Sequence, residues 1–273
     1  MSAYQDFAEV YDEFMDATPY EEWCNRFVEI IKAYGISKPQ QEVDKEGMSE
    51  EELALASERN LVLDLGCGTG TLTELMAEEG FDVMGIDMSY DMLQIAMDKS
   101  AKFGHDIMYL CQDMRELELY CTVGTVICVC DSINYVLEDE EVIETFARVN
   151  NYLYPKGLFI FDFNTNYKYA EVIGDTTIAE NREDCSFIWD NYYDEESHIN
   201  EYDLTIFVRE SEDEEMFRRF QETHFQRGYD FEEMLLFVKK AGMEFVTALD
   251  AETNGDITEE TERVLMVCRE KGK

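Results

Sequence analysis

Three aspartates and a run of glycines carry the chemistry legible in this chain. Asp64 interrupts an apolar run (Leu61, Val62, Leu63, Leu65) that opens into Gly66-Cys67-Gly68-Thr69-Gly70. Asp87 stands 21 positions after Gly66, at the end of Gly85-Ile86-Asp87. Asp113 closes Cys111-Gln112-Asp113-Met114. Glycines permit a tight turn and let backbone approach a ligand, and a helix starting directly after them offers bare N–H groups. An acid about 20 residues beyond such a loop is placed to accept from both hydroxyls of a ribose. Asp113 with Met114 suits an adenine, the carboxylate accepting from the exocyclic amine and the apolar neighbour packing on the ring. A carboxylate inside a buried strand is costly unless partnered, so Asp64 is expected to meet loop amides or a cationic ligand. A fourth cluster, Cys130-Asp131-Ser132-Ile133-Asn134-Tyr135, follows another apolar run.

These residues are useful together only if the fold brings strand ends to one edge. From Leu61 onward, short apolar segments alternate with amphipathic ones. The pattern predicts strands at Leu61–Leu65, Asp82–Ile86, Ile107–Cys111, Thr125–Cys130 and Leu158–Phe163. It predicts helices at Thr71–Glu79, Asp91–Phe103 and Glu140–Tyr152. Such alternation implies a parallel sheet covered on both faces, with all strand C-terminal ends, and therefore the ligand, on one edge. Cys130–Tyr135 then falls at the crevice where the strand order reverses. Ser186 to Arg209 instead alternates aromatic and polar residues and reads as a hairpin turned at Asp194–Ser197, with Phe217 to Gln226 as a third strand. Phe231–Ala241 reads as a helix, and Phe245–Leu249 and Val264–Arg269 as two closing strands.

Before Leu61, apolar stripes through Tyr4, Phe7, Tyr11 and Phe14, then Trp23, Phe27 and Ile31, read as helices broken at Pro19. Gly35 to Asn60 reads as a mobile acidic linker ending in a helix from Ser49, where Ser49 and Glu52 form a capping-box pattern. The expected organisation is an N-terminal helical lid and acidic linker over 1–60. A core over 61–273 follows, with the antiparallel insertion at about 185–227.

The chain has 62 Asp and Glu against 22 Lys and Arg, a formal net charge of -40. So negative a chain repels phosphate backbones, and no basic cluster interrupts it, so a nucleic-acid partner is not expected. The eight cysteines show no CxxC pair, so no metal site is expected. The polar, acidic start and the lack of a long apolar span point to a soluble protein of a reducing cytoplasm, without membrane association. Oligomeric state is open between monomer and homodimer.

Glycine loop and ribose acid would also suit a nicotinamide dinucleotide. The loop spacing is GCGTG rather than GxGxxG, and no second βαβαβ half follows. DLGCGTG, GIDMS, CQDM, CDSINYV and KGLFIFDFNT, in that order, resemble the class I S-adenosylmethionine-dependent methyltransferases. FAEVYD near the start, DSINY, and HFQRGYDFEEMLLFVKKAGM near the end resemble the bacterial small-molecule branch, with its sugar and glycine N-methyltransferase relatives.

The resemblance implies an α/β, Rossmann-like fold. Its seven-stranded, mostly parallel sheet has the last strand antiparallel and helices on both faces. An N-terminal helical lid and a small antiparallel insertion complete it. It implies S-adenosyl-L-methionine as cofactor and a small-molecule acceptor methylated on N or O. Gly66, Cys67, Gly68 and Gly70 would meet the methionine part and Asp64 its amino group. Asp87 and Met88 would take the ribose and adenine, and Asp113 and Met114 the adenine. Asp131 and Ser132 would flank the sulfonium, and Tyr4 and Tyr11 would belong to the lid. Tyr11 and His224 are the candidate catalytic groups. An RNA or protein methyltransferase on the same fold, or a non-catalytic S-adenosylmethionine-binding protein, are the alternatives.

Overall fold

A computed structural model describes residues 7–210 and 216–273. Its main sheet has seven strands: β1 (Leu61–Leu65), β2 (Asp82–Asp87), β3 (Met108–Cys111), β4 (Val123–Cys128), β5 (Leu153–Asn164), β10 (Glu244–Asp250) and β11 (Arg263–Arg269). The order is β10-β11-β5-β4-β1-β2-β3. β1 to β5 pair in parallel, while β11 runs antiparallel between β5 and β10. The order reverses between β1 and β4, so the crevice expected for a parallel sheet opens beside the glycine loop.

Strand alternation assigns each residue to a face. Leu63 and Leu65 with Phe159, Phe161 and Phe163 bury one face under α6 (Asp139–Tyr152) and α7 (Phe231–Lys240). Val62, Ile127 and Ile160 bury the other under α2 (Tyr20–Tyr34) and α4 (Thr71–Glu78). α5 (Tyr90–Phe103) completes the crossover from β2 to β3. Pro19 is the N-cap of α2 and separates it from a short α1 (Ala8–Phe14), the break anticipated from the sequence.

Two expectations differ from the structure. The linker is tethered rather than loose. Ser37 Oγ lies 2.8 Å from Thr125 Oγ1, Lys38 N–H donates to Asn60 Oδ1 and Gln40 N–H to the Gly80 carbonyl. It ends in α3 (Glu50–Asn60), which carries the full Ser49–Glu52 capping box. Gly124 admits this crossing, since a Cβ there would lie 1.8 Å from the Arg59 carbonyl oxygen. The fourth strand also stops at Cys128, because Cys130 and Asp131 both adopt positive φ (57° and 52°) and leave the ladder.

The second sheet has four antiparallel strands: β6 (Thr177–Asn181), β7 (Cys185–Asp194), β8 (Ile199–Arg209) and β9 (Phe217–Arg227). β6 precedes the expected insertion and follows a π-helical turn at Lys168–Ile173. Asn134, fully buried, joins the two sheets. Its side-chain amide donates to the carbonyls of Asn164 (3.0 Å) and Arg227 (2.7 Å) and accepts from Asn164 N–H (2.9 Å). Asn134→Ala removes three hydrogen bonds to the backbone of β5 and β9; of the groups involved, the Asn164 carbonyl still accepts from Tyr229 N–H. It is expected to lower unfolding stability by about 3 kcal/mol, measured by urea titration; an unshifted midpoint would contradict this bridging role.

Candidate active site

A cavity of 460 Å³ opens at the C-terminal ends of β1, β2 and β4. Most of the expected residues line it: Tyr11, Asp64, Gly66, Cys67, Gly68, Asp87, Met88, Asp113, Met114 and Ser132, together with His224. Gly70 and Asp131 stand behind the lining. A Cβ on Gly70 would point at Tyr109 Oη and Ala96, under α5, so Gly70 serves the helix start and its close packing. The Asp131 carboxylate turns to the side-chain amide of Gln226 on β9. Tyr4 lies outside the described residues.

The amides of the glycine loop itself are taken up within the fold. Gly66 and Cys67 N–H donate to the Ile86 carbonyl (2.7 and 3.0 Å), Gly70 N–H to the Cys67 carbonyl, and Gly68 N–H to Asp87 Oδ2 (2.8 Å). Positive φ at Gly66 and Gly68 (80° and 54°) lets the loop fold back on β2 in this way. A Cβ on Gly66 would lie 2.7 Å from Ser132 Oγ, so this glycine admits the turn after β4 against the loop.

Asp87 therefore accepts structural bonds from Gly68 N–H and, at Oδ1, from Ser89 N–H (2.8 Å), with Met88 N–H also directed at it. A carboxylate has about four lone-pair sites, which leaves capacity for a ligand's hydroxyls. Burial raises its pKa, and these amide bonds pull it down. Asp64 is 3 % exposed and accepts from Thr73 Oγ1 at 2.6 Å. Burial pushes its carboxyl up to about 7, against the Thr73 bond and with the help of nearby Asp87. Asp113 is the opposite case: its hydrogen bonds from Arg115 hold its pKa below the ordinary value.

Sequence reasoning missed Asp162, although it carries the same signal as Asp64, an acid inside an apolar strand. Its carboxylate accepts from Cys130 N–H (3.2 Å) and Asp131 N–H (2.8 Å), fixing the positive-φ turn. Arg263 stands 3.5 Å away and lies over the Trp23 ring. Sequence reasoning also missed Tyr20, a lining residue beside Tyr11. Burial and a hydrogen bond with Tyr20 hold the Tyr11 phenol well above its usual pKa.

α1 and β9 contribute further lining, Tyr11 from the first and Thr223, His224 and Phe225 from the second. Asp12 of α1 accepts from Thr69 Oγ1 (2.6 Å) and pairs with Lys99 (2.6 Å). On its other side, Phe14 meets Phe187 edge-on and Arg182 pairs with Asp16. Among the described residues, no group of three or more His, Cys, Asp or Glu is arranged to hold a metal ion. No described helix is long and apolar enough to cross a membrane.

Residues 62–157 match the methyltransferase domain family. The "Putative methyltransferase YqeM" of Bacillus subtilis is 34% identical over 262 residues, covering 96% of this chain and 94% of that protein. The chain belongs to the class I S-adenosylmethionine-dependent methyltransferases. A crystal structure of an S-adenosylmethionine-dependent methyltransferase from Clostridium acetobutylicum superposes with a TM-score of 0.82 at 26% identity, covering 99% of this chain and 100% of that one. The sugar N-methyltransferase KedS8 from Streptoalloteichus shares the fold, with a TM-score of 0.69 at 18% identity, covering 98% of this chain and 96% of that one. The cofactor of this methyltransferase is S-adenosyl-L-methionine. The residues present fit it: a half-buried carboxylate at Asp87, apolar Met88 and Met114, and a buried carboxylate at Asp64.

Asp64 gives a pH signature in the ligand-free protein. Its folded pKa lies above the unfolded value, so the native state retains a proton that the unfolded chain releases between about pH 4 and 7. That contribution is present at low pH and is lost as pH rises through 7. Asp64→Asn does not titrate. Its stability relative to wild type should therefore climb by roughly 4 kcal/mol from pH 4 to 7 and then level off. Parallel unfolding curves for the two proteins would refute the elevated pKa.

Proposed function

We propose that this methyltransferase moves the methyl group of S-adenosylmethionine to a nitrogen or oxygen of a small molecule. The observation that carries this reading is the roofed cavity. At 460 Å³ it has the size of a small-molecule pocket, with α1 and the β9 strand over the glycine loop. A polymer substrate calls for an open groove and, for nucleic acid, a basic one; the net charge of -40 opposes the latter. The fold shared with a sugar N-methyltransferase agrees with a small acceptor.

In this reading Asp87 takes the ribose hydroxyls, and Met88 and Met114 enclose the adenine, whose exocyclic amine donates to Asp113. Gly66, Cys67 and Gly68 pack along the methionine tail, and Asp64 faces its ammonium. Tyr11, Cys130 and Ser132 surround the sulfonium, where aromatic faces and oxygens favour positive charge. Asp131 acts from behind, holding the turn through Gln226. Tyr11, on α1, belongs to a lid within residues 1–60 that excludes water. When bound, S-adenosylmethionine supplies an already activated methyl group, so the protein's main task is alignment, worth about 7–11 kcal/mol in favourable cases.

Calorimetric titration with S-adenosylmethionine tests the cofactor site. Wild type should bind, and Asp87→Ala should bind about 10- to 100-fold more weakly, the loss of one or two hydrogen bonds to a charged group. Affinity should rise from pH 6 to pH 8 as Asp64 ionises against the ammonium, and Asp64→Asn should flatten that rise. Absence of heat with wild type would sink the proposal. A screen of small amines and alcohols for S-adenosylhomocysteine release then identifies the acceptor, and release only with peptide or RNA would replace the small-molecule reading.

A further inference from the structure

Where β3 ends, one carboxylate of the cavity is gripped by an arginine. Gln112, Asp113, Met114 and Arg115 follow β3, and all four line the cavity. Gln112 N–H donates to the Asp87 carbonyl (3.0 Å), which fixes this stretch beside the acid at the end of β2. Asp113 caps a short 3₁₀ turn, Met114–Glu116, and its Oδ1 accepts from Arg115 N–H (2.9 Å). The Arg115 side chain folds back on the same carboxylate. Nε lies 3.0 Å from Oδ1 and 3.1 Å from Oδ2, and Nη2 lies 2.6 Å from Oδ2. Nη1 reaches both oxygens of Glu141, in the first turn of α6, at 3.2 and 3.3 Å.

These ion pairs add little to folding. The side chains of Arg115 and Glu141 are 43% and 42% exposed and that of Asp113 24%, so solvent screens them. What the guanidinium supplies is direction, because its planar fork matches the edge of a carboxylate. Each carboxylate oxygen has about two lone pairs. Among the described residues, Arg115 N–H and Nε fill Oδ1, and Nη2 takes one side of Oδ2. Asp113 therefore keeps one acceptor position, on Oδ2, for a ligand in the cavity it lines. It has no donor to offer, since the bonds from Arg115 favour its ionised form.

We propose that Arg115, anchored by Glu141, is the positioning residue that makes the cofactor site select a 6-aminopurine over a 6-oxopurine; this rests on the placement of the adenine at Asp113 under the proposed function. Adenine presents an amino donor at C6, whereas a 6-oxopurine presents a carbonyl acceptor there. A single fixed acceptor position meets the first with a hydrogen bond and the second with oxygen facing oxygen. Released from the fork, the carboxylate can turn and present both oxygens. It then also accepts from the N1–H that a 6-oxopurine carries. Arg115 thus acts through Asp113, and it sets discrimination between bases more than affinity for either. Glu141 holds the guanidinium from α6, so the fork does not follow the carboxylate when a ligand pulls on it.

Calorimetric titration with S-adenosylhomocysteine and with S-inosylhomocysteine, its 6-oxo counterpart, tests this without knowledge of the acceptor. The two ligands share ribose and amino-acid tail, so the ratio of their affinities isolates the base edge. Measured on one protein sample, that ratio is also insensitive to the fraction folded. Wild type should favour the amino form by about 10- to 100-fold, the worth of a hydrogen bond to a charged group. Arg115→Ala should lower the ratio about 5-fold or more. Arg115→Lys should lower it by about as much, since lysine keeps the charge and lacks the fork. Glu141→Ala, at an exposed helix position, should lower it about 2-fold or more. A wild-type ratio near or below one overturns the proposal. So does a ratio retained in Arg115→Ala, or in both Arg115→Lys and Glu141→Ala. Failure of wild type to bind either ligand refutes the cofactor reading instead.

Discussion

Carboxylates buried at the C-terminal edge of the sheet, in a chain short of cations, set the terms for everything around them. Asp64, Asp87, Asp131 and Asp162 all have pKa values raised by burial. With 62 acids and 22 bases, compensation falls largely on neutral donors. Thr73 supplies a hydroxyl, Gln226 a side-chain amide, and Gly68, Ser89, Cys130 and Asp131 supply backbone N–H groups. The backbone takes its shape from this demand. Two consecutive non-glycine residues at positive φ cost about 1–3 kcal/mol each, and they are held because that conformation aims both amides at Asp162.

An edge compensated in this way favours a ligand that brings positive charge. S-adenosylmethionine carries an ammonium and a sulfonium, so it can return to these carboxylates part of the stabilisation that burial removed. The surface charge of -40 is the weaker influence. At physiological salt, exposed charges are screened beyond about 8 Å, whereas Asp64 and Asp87 act inside a low-dielectric pocket. The surface can steer a cation toward the cavity. Affinity inside it belongs to the buried set.

The main sheet was legible because its central strands β1, β2, β4, β5 and β11 are largely buried and read as apolar runs. The small sheet was legible only where aromatic residues alternate. β6, Thr-Ile-Ala-Glu-Asn, is a short and largely exposed edge strand with no such pattern, and its place is fixed by pairing with β7. Asp87 and Asp113, which line the cavity, were legible from their position at strand ends, and Asp64 as a lone acid inside an apolar strand. The direction of the loop amides was not, since bonds from Gly66, Cys67 and Gly68 to β2 depend on how two strand ends meet. Asp162 went unnoticed for a different reason: no glycine loop follows it, and its partners lie about 30 residues earlier in the turn after β4. The linker read as loose because its tethers are single hydrogen bonds to distant residues, which leave no periodic trace.

The roof over the cavity is built to be weak. α1 has seven residues, too few to persist alone in water. Its order is borrowed from two sides: Asp12 bonds Thr69 and Lys99 at the glycine loop, while Phe14 packs on Phe187 of β7. The Asp12 side chain is 41% exposed, so its ion pair contributes at most about 1 kcal/mol. Phe7 N–H adds a bond to Glu222, and Tyr11 adds its buried ring to the cavity. The described contacts of this segment are spread between the glycine loop and β9. Under the proposed function, a segment held by contacts spread in this way would serve as the lid, lifting to admit ligands and closing over them. Closure of such a lid would remove water from the carboxylate edge and strengthen the electrostatic interactions there.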